Sequence, residues 1–139
     1  MKRLVCGHDD EIAEWTFDTF RMRPVQYDMA IGIVEHGNLV GSVLWHAYSG
    51  SDIEISYYGP NTMTLGIARA MAQMAMDYWH VSRVSAKTSR KNKIMTRGIK
   101  KIGFEYEGIK HSAYGDDDDA VMYGLYGSNL HRLAGRTMQ

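Results

Sequence analysis

Residues 63–79, MTLGIARAMAQMAMDYW, constrain the fold more than any other stretch. The segment is apolar on most sides, and its polar residues Arg69, Gln73 and Asp77 recur every fourth position as one narrow wet stripe. A helix with so little polar surface has to bury the remainder, so this one is expected to be pressed against a sheet. Strand-like segments flank it. In Asp52–Tyr58, Ile53, Ile55 and Tyr57 alternate with Glu54, Ser56 and Tyr58, the pattern of a half-buried strand. Gly59-Pro60-Asn61-Thr62 breaks that strand, and Val81–Lys87 supplies the next one. A strand–helix–strand unit implies local parallel pairing.

The remaining segments extend this frame. Lys2–Cys6 reads as a short strand. Gly7-His8-Asp9-Asp10 then provides a turn and a cap for a helix over Glu11–Phe20, whose apolar residues are Ile12, Ala13, Trp15, Phe17 and Phe20. Asp28–Glu35 and Leu39–His46 are strand-like and separated by the tight-turn signal His36-Gly37-Asn38, which predicts an antiparallel hairpin. A basic helix follows Asn92. Strands around Glu105–Ser112 and Ala120–Tyr126 form a second hairpin, joined by Gly115 and the acidic run Asp116–Asp119. The order β-α-β-β-β-α-β-α-β-β predicts a mixed α/β sheet with antiparallel edges, in one domain over residues 1–128. Residues 129–139 read as a polar tail.

Composition narrows the function classes. Sixteen basic and sixteen acidic residues cancel, so no bulk charge points to nucleic acid or a membrane. Charge is uneven locally: eight basic residues and no acid lie between Arg83 and Lys101. The single Cys6 suits a reducing compartment. The N-terminal charges interrupt any signal-peptide pattern, and no apolar run approaches the roughly 20 residues of a membrane helix. A cytoplasmic protein without a metal site is expected.

Asn92, Gly103, Phe104, Glu107 and Gly108 have a spacing that resembles the GNAT superfamily of acetyl-CoA-dependent N-acetyltransferases. There an Asn opens the last major helix, Gly-Phe follows eleven and twelve residues on, and an acid-Gly pair begins the next strand. The element order and the closing DDAVMYGLYG add to the likeness, which covers nearly the whole chain. VCGHDDEIAEW and the YGL ending also resemble small GNAT-like proteins of bacteriophages. The resemblance implies a mostly antiparallel sheet whose central parallel strands splay apart beside Tyr58 and Ala86, with helices on both faces.

It also implies a chemistry. Acetyl transfer to an amine needs the cofactor's pyrophosphate held, the thioester oriented, a proton removed from the amine and the thiolate protonated. Met63-Thr64-Leu65-Gly66-Ile67-Ala68 stands where the family binds pyrophosphate with backbone N–H groups at a helix N-terminus. Gly66 and Ala68 fit that pattern, and Met63 replaces its usual polar residue. The alternative is that Thr62 or Thr64 merely caps the helix. Backbone groups near Ser56, Tyr57 and Tyr58 would bond the pantetheine arm, although ordinary aromatic packing accounts equally for the two tyrosines. Glu54 is the candidate general base, direct or through a water, against a reading as a surface ion pair; His46 and His111 are secondary candidates. Asn92 would cap its helix and bond the cofactor arm. Arg90, Lys91, Lys93 and Arg97 would lie near the cofactor's 3′-phospho-ADP end, unless they form a simple solvated face. Gly103 would end the helix, Phe104 would plug the core, and Ile94, Met95, Ile99 and Ile102 would form the buried face. Ile99 stands where many relatives carry a Tyr, so the general acid stays open among Tyr57, Tyr58, Tyr123 and water.

Three functions follow from these residues. The first is an N-acetyltransferase acting on a protein N-terminus, a lysine or a small amine. The second is a catalytically degenerate binding protein on the same scaffold that interacts with a host protein, for which Met63 and Ile99 speak. The third, a nucleic-acid module on residues 83–101, is opposed by the zero net charge. The acceptor site is expected from the first helix, residues 48–51 and the last hairpin, where Asp116–Asp119 would attract a cation or simply be solvated. The resemblance allows a homodimer through the last strands and leaves the oligomeric state open.

Overall fold

The computed structural model describes residues 1–137. Seven strands and four helices make a mixed α/β fold, and the strands are mostly antiparallel. The residues group into two compact units: Met1–Tyr48 with Glu54–Thr64, and Ser49–Ile53 with the chain from Leu65 onward.

In the first unit, strands β1 (Lys2–Val5), β2 (Met29–Glu35), β3 (Asn38–His46) and the greater part of β4 (Asp52–Tyr58) follow one another in space as in sequence, each antiparallel to its neighbour. The β2–β3 turn is two residues long. His36 and Gly37 both take positive φ, 53° and 78°, the twist that closes a tight hairpin. Helix α1 (Asp9–Thr19) carries Asp9, Asp10 and Glu11 in its first turn, where its dipole favours them. Ile12, Ala13 and Thr16 are its buried residues, and Phe20 lies beyond the helix and is exposed. Buried Thr16 and Ser42 share a hydrogen bond of 2.6 Å, which satisfies both hydroxyls.

The end of β4 is pinned. The Thr62 hydroxyl, fully buried, donates to the Gly59 carbonyl at 2.8 Å and lies 3.5 Å from that of Tyr58. Gly41 makes the fit possible, because a Cβ there would stand 2.3 Å from the Thr62 methyl and 2.5 Å from the Tyr58 carbonyl oxygen.

The second unit holds β5 (Arg83–Ser89), β7 (Ala120–Tyr126) and β6 (Glu105–Lys110) side by side in that order, both pairs antiparallel. The start of β4 joins it through the Ser51 carbonyl, which accepts the N–H groups of Ser82 and Arg83, and through Asp52, which accepts the Ser85 hydroxyl at 2.8 Å. Helix α2 spans Leu65–Met74, two residues later than its expected start, and its last turn widens into a π turn over Ala75–Trp79 ended by His80 at φ 55°. Helix α3 (Lys93–Lys101) begins at Asn92, whose side chain accepts the Met95 N–H at 3.1 Å. Gly103 follows it with φ 111°, and Phe104 is buried.

Two expectations change here. Ile94 was assigned to the buried face of α3, yet it is 87% exposed. It lies two residues past the Asn92 cap on the outer side of the first turn, and burial centres on Ile99 instead. Residues 129–139 were read as a tail, but Gly127–Leu133 form helix α4 with Leu130 and Leu133 buried; residues 138–139 lie outside the described ones. The cause is the stripe on α2 and the π turn. Arg69 Nε donates to the Leu133 carbonyl, Gln73 Nε2 to the Ala134 carbonyl, and Asp77 pairs with Arg136. What reads as a solvated row is the docking surface of the C-terminal segment.

Candidate active site

The β3–β4 register decides which polar groups meet. His46 pairs with Glu54 and Ser42 with Tyr58, and side chains alternate along a strand. Glu54, Ser56 and Tyr58 therefore share the face that carries His46, while Ile53, Ile55 and Tyr57 take the other. On the shared face, His46 Nδ1 lies 3.0 Å from Glu54 Oε2, and His46 Nε2 lies 2.9 Å from Ser56 Oγ. A carboxylate only accepts, so the imidazole carries its proton on Nδ1 toward Glu54. That leaves Nε2 to accept from the Ser56 hydroxyl. The side chains of His46 and Glu54 are 18% and 17% exposed, shielded enough to hold one geometry and open enough to exchange protons. Tyr58 continues the row. Burial raises its phenol above the ordinary tyrosine value, while a hydrogen bond with Ser56 opposes the rise. Its ring packs tilted against Phe20, with centroids 5.8 Å apart.

Tyr57 stands apart from this row, and burial pushes its phenol far up. Next along the chain from His46, a cavity of about 530 Å³ is lined by Val25, Gln26, Tyr27, Asp28, Ala47 and Tyr48. Asp28 accepts the Tyr48 N–H at 3.0 Å, and Tyr27 donates its hydroxyl to Asp10. This cavity presents two phenol rings and a carboxylate.

The second unit carries the residues expected to face the cofactor's phosphates. Leu65 and Gly66 are exposed at the head of α2, whereas Ile67 and Ala68 are buried and reach a ligand only through their backbone. Thr64 is exposed, and its N–H bonds the Thr62 carbonyl. A cavity of about 200 Å³ opens at this helix head, lined by Leu65, Arg69, Lys101, Ile102, Gly103, Asn129, Arg132 and Leu133. The three cationic side chains form a donor set that suits phosphate groups. Arg69 belongs to the polar stripe of α2, and Lys101 and Arg132 line the same cavity from α3 and α4. Asn92 and Arg97 are exposed on α3, and Asn92 spends its side-chain oxygen on the cap. Ile99 is buried, so the position of the missing tyrosine serves packing.

The acidic loop is partly structural. Asp118 accepts the Ser89 hydroxyl, and Asp119 accepts the Ser112 N–H and faces His111 and Arg90. The Ser112 N–H, ahead of His111 and Arg90, holds the Asp119 carboxyl below its usual range. His111 is thus committed to this loop, and Asp116 and Asp117 alone point outward. Among the described residues, no group of His, Cys, Asp and Glu could hold a metal ion, and no helix is long and apolar enough to cross a membrane.

No curated protein sequence matches the chain. Solved structures share its fold. A GCN5-related N-acetyltransferase from Brucella melitensis superposes with TM-score 0.71 at 16% identity, covering 96% of this chain and 79% of that one. A mutant form of the spermidine/spermine N-acetyltransferase SpeG from Vibrio cholerae gives 0.69 at 11% identity over 94% and 97%. A GNAT-family acetyltransferase from Bacillus anthracis gives 0.60 at 18% identity over 70% of this chain, which spans 65% of that protein's length. The sequence pattern of the acetyltransferase (GNAT) domain matches residues 5–105. That match runs from the end of β1 to the start of β6, most of the chain, and the protein belongs to the GNAT acetyltransferase family.

Proposed function

We propose that the protein transfers an acetyl group from acetyl-CoA to a primary amine by direct attack within a ternary complex. The observation that carries this reading is the hydrogen-bonded row Glu54–His46–Ser56. An alkyl ammonium has a pKa of about 10.4, so it is nucleophilic only after a base removes a proton. His46 Nε2 is that base, reached through the Ser56 hydroxyl, and Glu54 holds the opposite ring nitrogen and stabilises the imidazolium that forms.

Acetyl-CoA supplies the activated acetyl group. Its phosphates would be held by the backbone of Thr64, Leu65, Gly66, Ile67 and Ala68 at the head of α2, by Arg69, Lys101 and Arg132, and by Asn92 and Arg97 on α3. Backbone groups of Ser56, Tyr57 and Tyr58 would orient its arm. The departing thiolate needs a proton. A free thiol has a pKa of about 8.5 and a tyrosine about 10, and burial raises Tyr57 and Tyr58 further. Proton donation by either phenol is uphill, so the imidazolium of His46 or water is the better source.

The cavity lined by Ala47 and Tyr48, next along the chain from His46, suits the acceptor. The rings of Tyr27 and Tyr48 can take a cation on their faces, and Asp28 adds a charge. A cationic amine, whether a lysine, a protein N-terminus or a small amine, is the matching class. The likeness to small bacteriophage proteins adds a bacterial host cytoplasm as the setting.

The test combines binding and turnover. Millimolar acetyl-CoA should raise the melting temperature by mass action, and thiol release should appear with a panel of amines and peptides. Absence of any thermal shift would overturn the donor; a shift without thiol release on any amine would overturn the reaction.

A further inference from the structure

We propose that Ser56 is a nucleophile, and that the protein forms an acetyl-Ser56 intermediate and hydrolyses activated acetyl esters when no amine is present. The structure brings together, on one face of an antiparallel pair, a hydroxyl, an imidazole and a carboxylate in the order that activates serine. Ser56 Oγ is 2.9 Å from His46 Nε2, and Glu54 Oε2 is 3.0 Å from His46 Nδ1. The carboxylate settles the tautomer, so the imidazole nitrogen facing Ser56 is the basic one. This is the relation of nucleophile, base and orienting acid that recurs on unrelated folds. Here two of the three residues sit two apart on β4 and the third stands opposite on β3.

Supporting groups hold this geometry. Leu44, fully buried, pairs with Ser56 across the ladder and stands beside it on the same face. Tyr58 follows Ser56 on the same face, and burial raises its phenol above the ordinary tyrosine value. It can therefore donate to the oxygen that becomes negative when Ser56 adds to a carbonyl.

The balance is complete. Ser56 Oγ bonds the acetyl carbon of an ester as its proton moves to His46 Nε2. The bond to the leaving oxygen breaks, and the imidazolium returns the proton to that oxygen. Water then adds to the acetyl-serine, giving its proton to His46, and acetate leaves as Ser56 recovers its hydrogen. No oxidant, reductant or metal enters. Glu54 acts through His46 and is a positioning residue. With acetyl-CoA as donor the proposal rests on the preceding reading, but an aryl ester removes that dependence.

The experiment uses the full chain carrying Cys6→Ala, since Cys6 is an exposed free thiol that would react on its own. With 4-nitrophenyl acetate, a burst of nitrophenol and one acetyl group mapped to Ser56 are expected. Ser56→Ala should lose the burst and His46→Ala should slow it by roughly 100-fold, while Ser56→Cys should keep a labelled side chain at this position. Glu54→Asp should restore more of the rate than Glu54→Ala, which a merely structural role would not produce. If the alanine variants fail to fold, mapping of the acetyl group in the folded Cys6→Ala protein decides. Acetyl found only on lysines, or an unchanged burst in folded Ser56→Ala, overturns the proposal. Labelling by the aryl ester but not by acetyl-CoA would support Ser56 and count against the donor assigned above.

Discussion

The polar face of β4 and the head of α3 both carry groups that sequence marks for function, and they are built on opposite plans. On β4, Glu54 and Ser56 spend their hydrogen bonds on His46, a residue of another strand. At the head of α3, Asn92 bonds the backbone of its own helix, and Lys93 and Arg97 extend into solvent. Proton transfer needs heavy atoms about 2.6–3.2 Å apart, and a rigid ladder holds side chains that closely. Attraction of a phosphate acts over a Debye length of about 8–10 Å, so flexible exposed cations suffice. The same polarity therefore calls for burial in one region and exposure in the other.

That contrast is broken most sharply at Glu54. Glu54→Gln keeps the shape and removes the charge, so it should lower kcat roughly 100-fold or more while the shift in melting temperature given by acetyl-CoA stays unchanged. Equal turnover in variant and parent would show that the row on β4 is only a structural network. The complementary change lies in the other region. Lys101→Ala with Arg132→Ala removes two of the three cations around the cavity at the head of α2. It should raise KM for acetyl-CoA roughly tenfold, the weight of a lost charged hydrogen bond, and leave kcat near that of the parent. A fall in kcat with KM unmoved would reverse the assignment of the two regions.

Elements governed by local pattern were legible in the sequence; elements governed by distant partners were not. Alternation along 52–58 placed Glu54 and Ser56 on one face, and the His36-Gly37 turn placed β2 against β3. Helix α4 escaped because its anchors Arg69, Gln73 and Asp77 stand 64, 61 and 59 positions from their partners, and two apolar residues, Leu130 and Leu133, make a weak pattern. His46 was visible as a strand histidine but not as the bridge. That role depends on the register that pairs it with Glu54, set by the length of the 47–51 connection. The eight cations of residues 83–101 drew the phosphate reading to Arg90, Lys91, Lys93 and Arg97, whereas Lys101 meets Arg69 and Arg132 only after folding.

A smaller effect tests how rigid the β4 side must be. Gly41→Ala would set a Cβ 2.5 Å from the Tyr58 carbonyl oxygen, a backbone atom that cannot rotate away. The expected loss is about 1–3 kcal/mol, typical of overpacking, read as a lower urea midpoint. Because Tyr58 adjoins Ser56, kcat should fall more than acetyl-CoA affinity. A neutral substitution would show that β4 shifts freely and that its hydrogen bonds do not depend on this anchor.

The smallest expected effect belongs to Arg83 and Glu107 in the second unit, an exposed pair with no assigned chemistry. The guanidinium donates to both carboxylate oxygens, at 2.5 and 3.1 Å, and Gly124 leaves the room for it. That hydrogen bond, ahead of the charge attraction, holds the Glu107 carboxyl below its ordinary 4.5. Its stabilisation is therefore complete above pH 4.5 and is lost as the pH falls through the lower folded value. With side chains about a third exposed, the pair is worth at most about 1 kcal/mol. Urea midpoints measured near pH 7 and near pH 3 should converge more in Glu107→Gln than in the parent. Parallel losses in the two proteins would mean that this bridge, unlike the row on β4, is interchangeable with solvation by water.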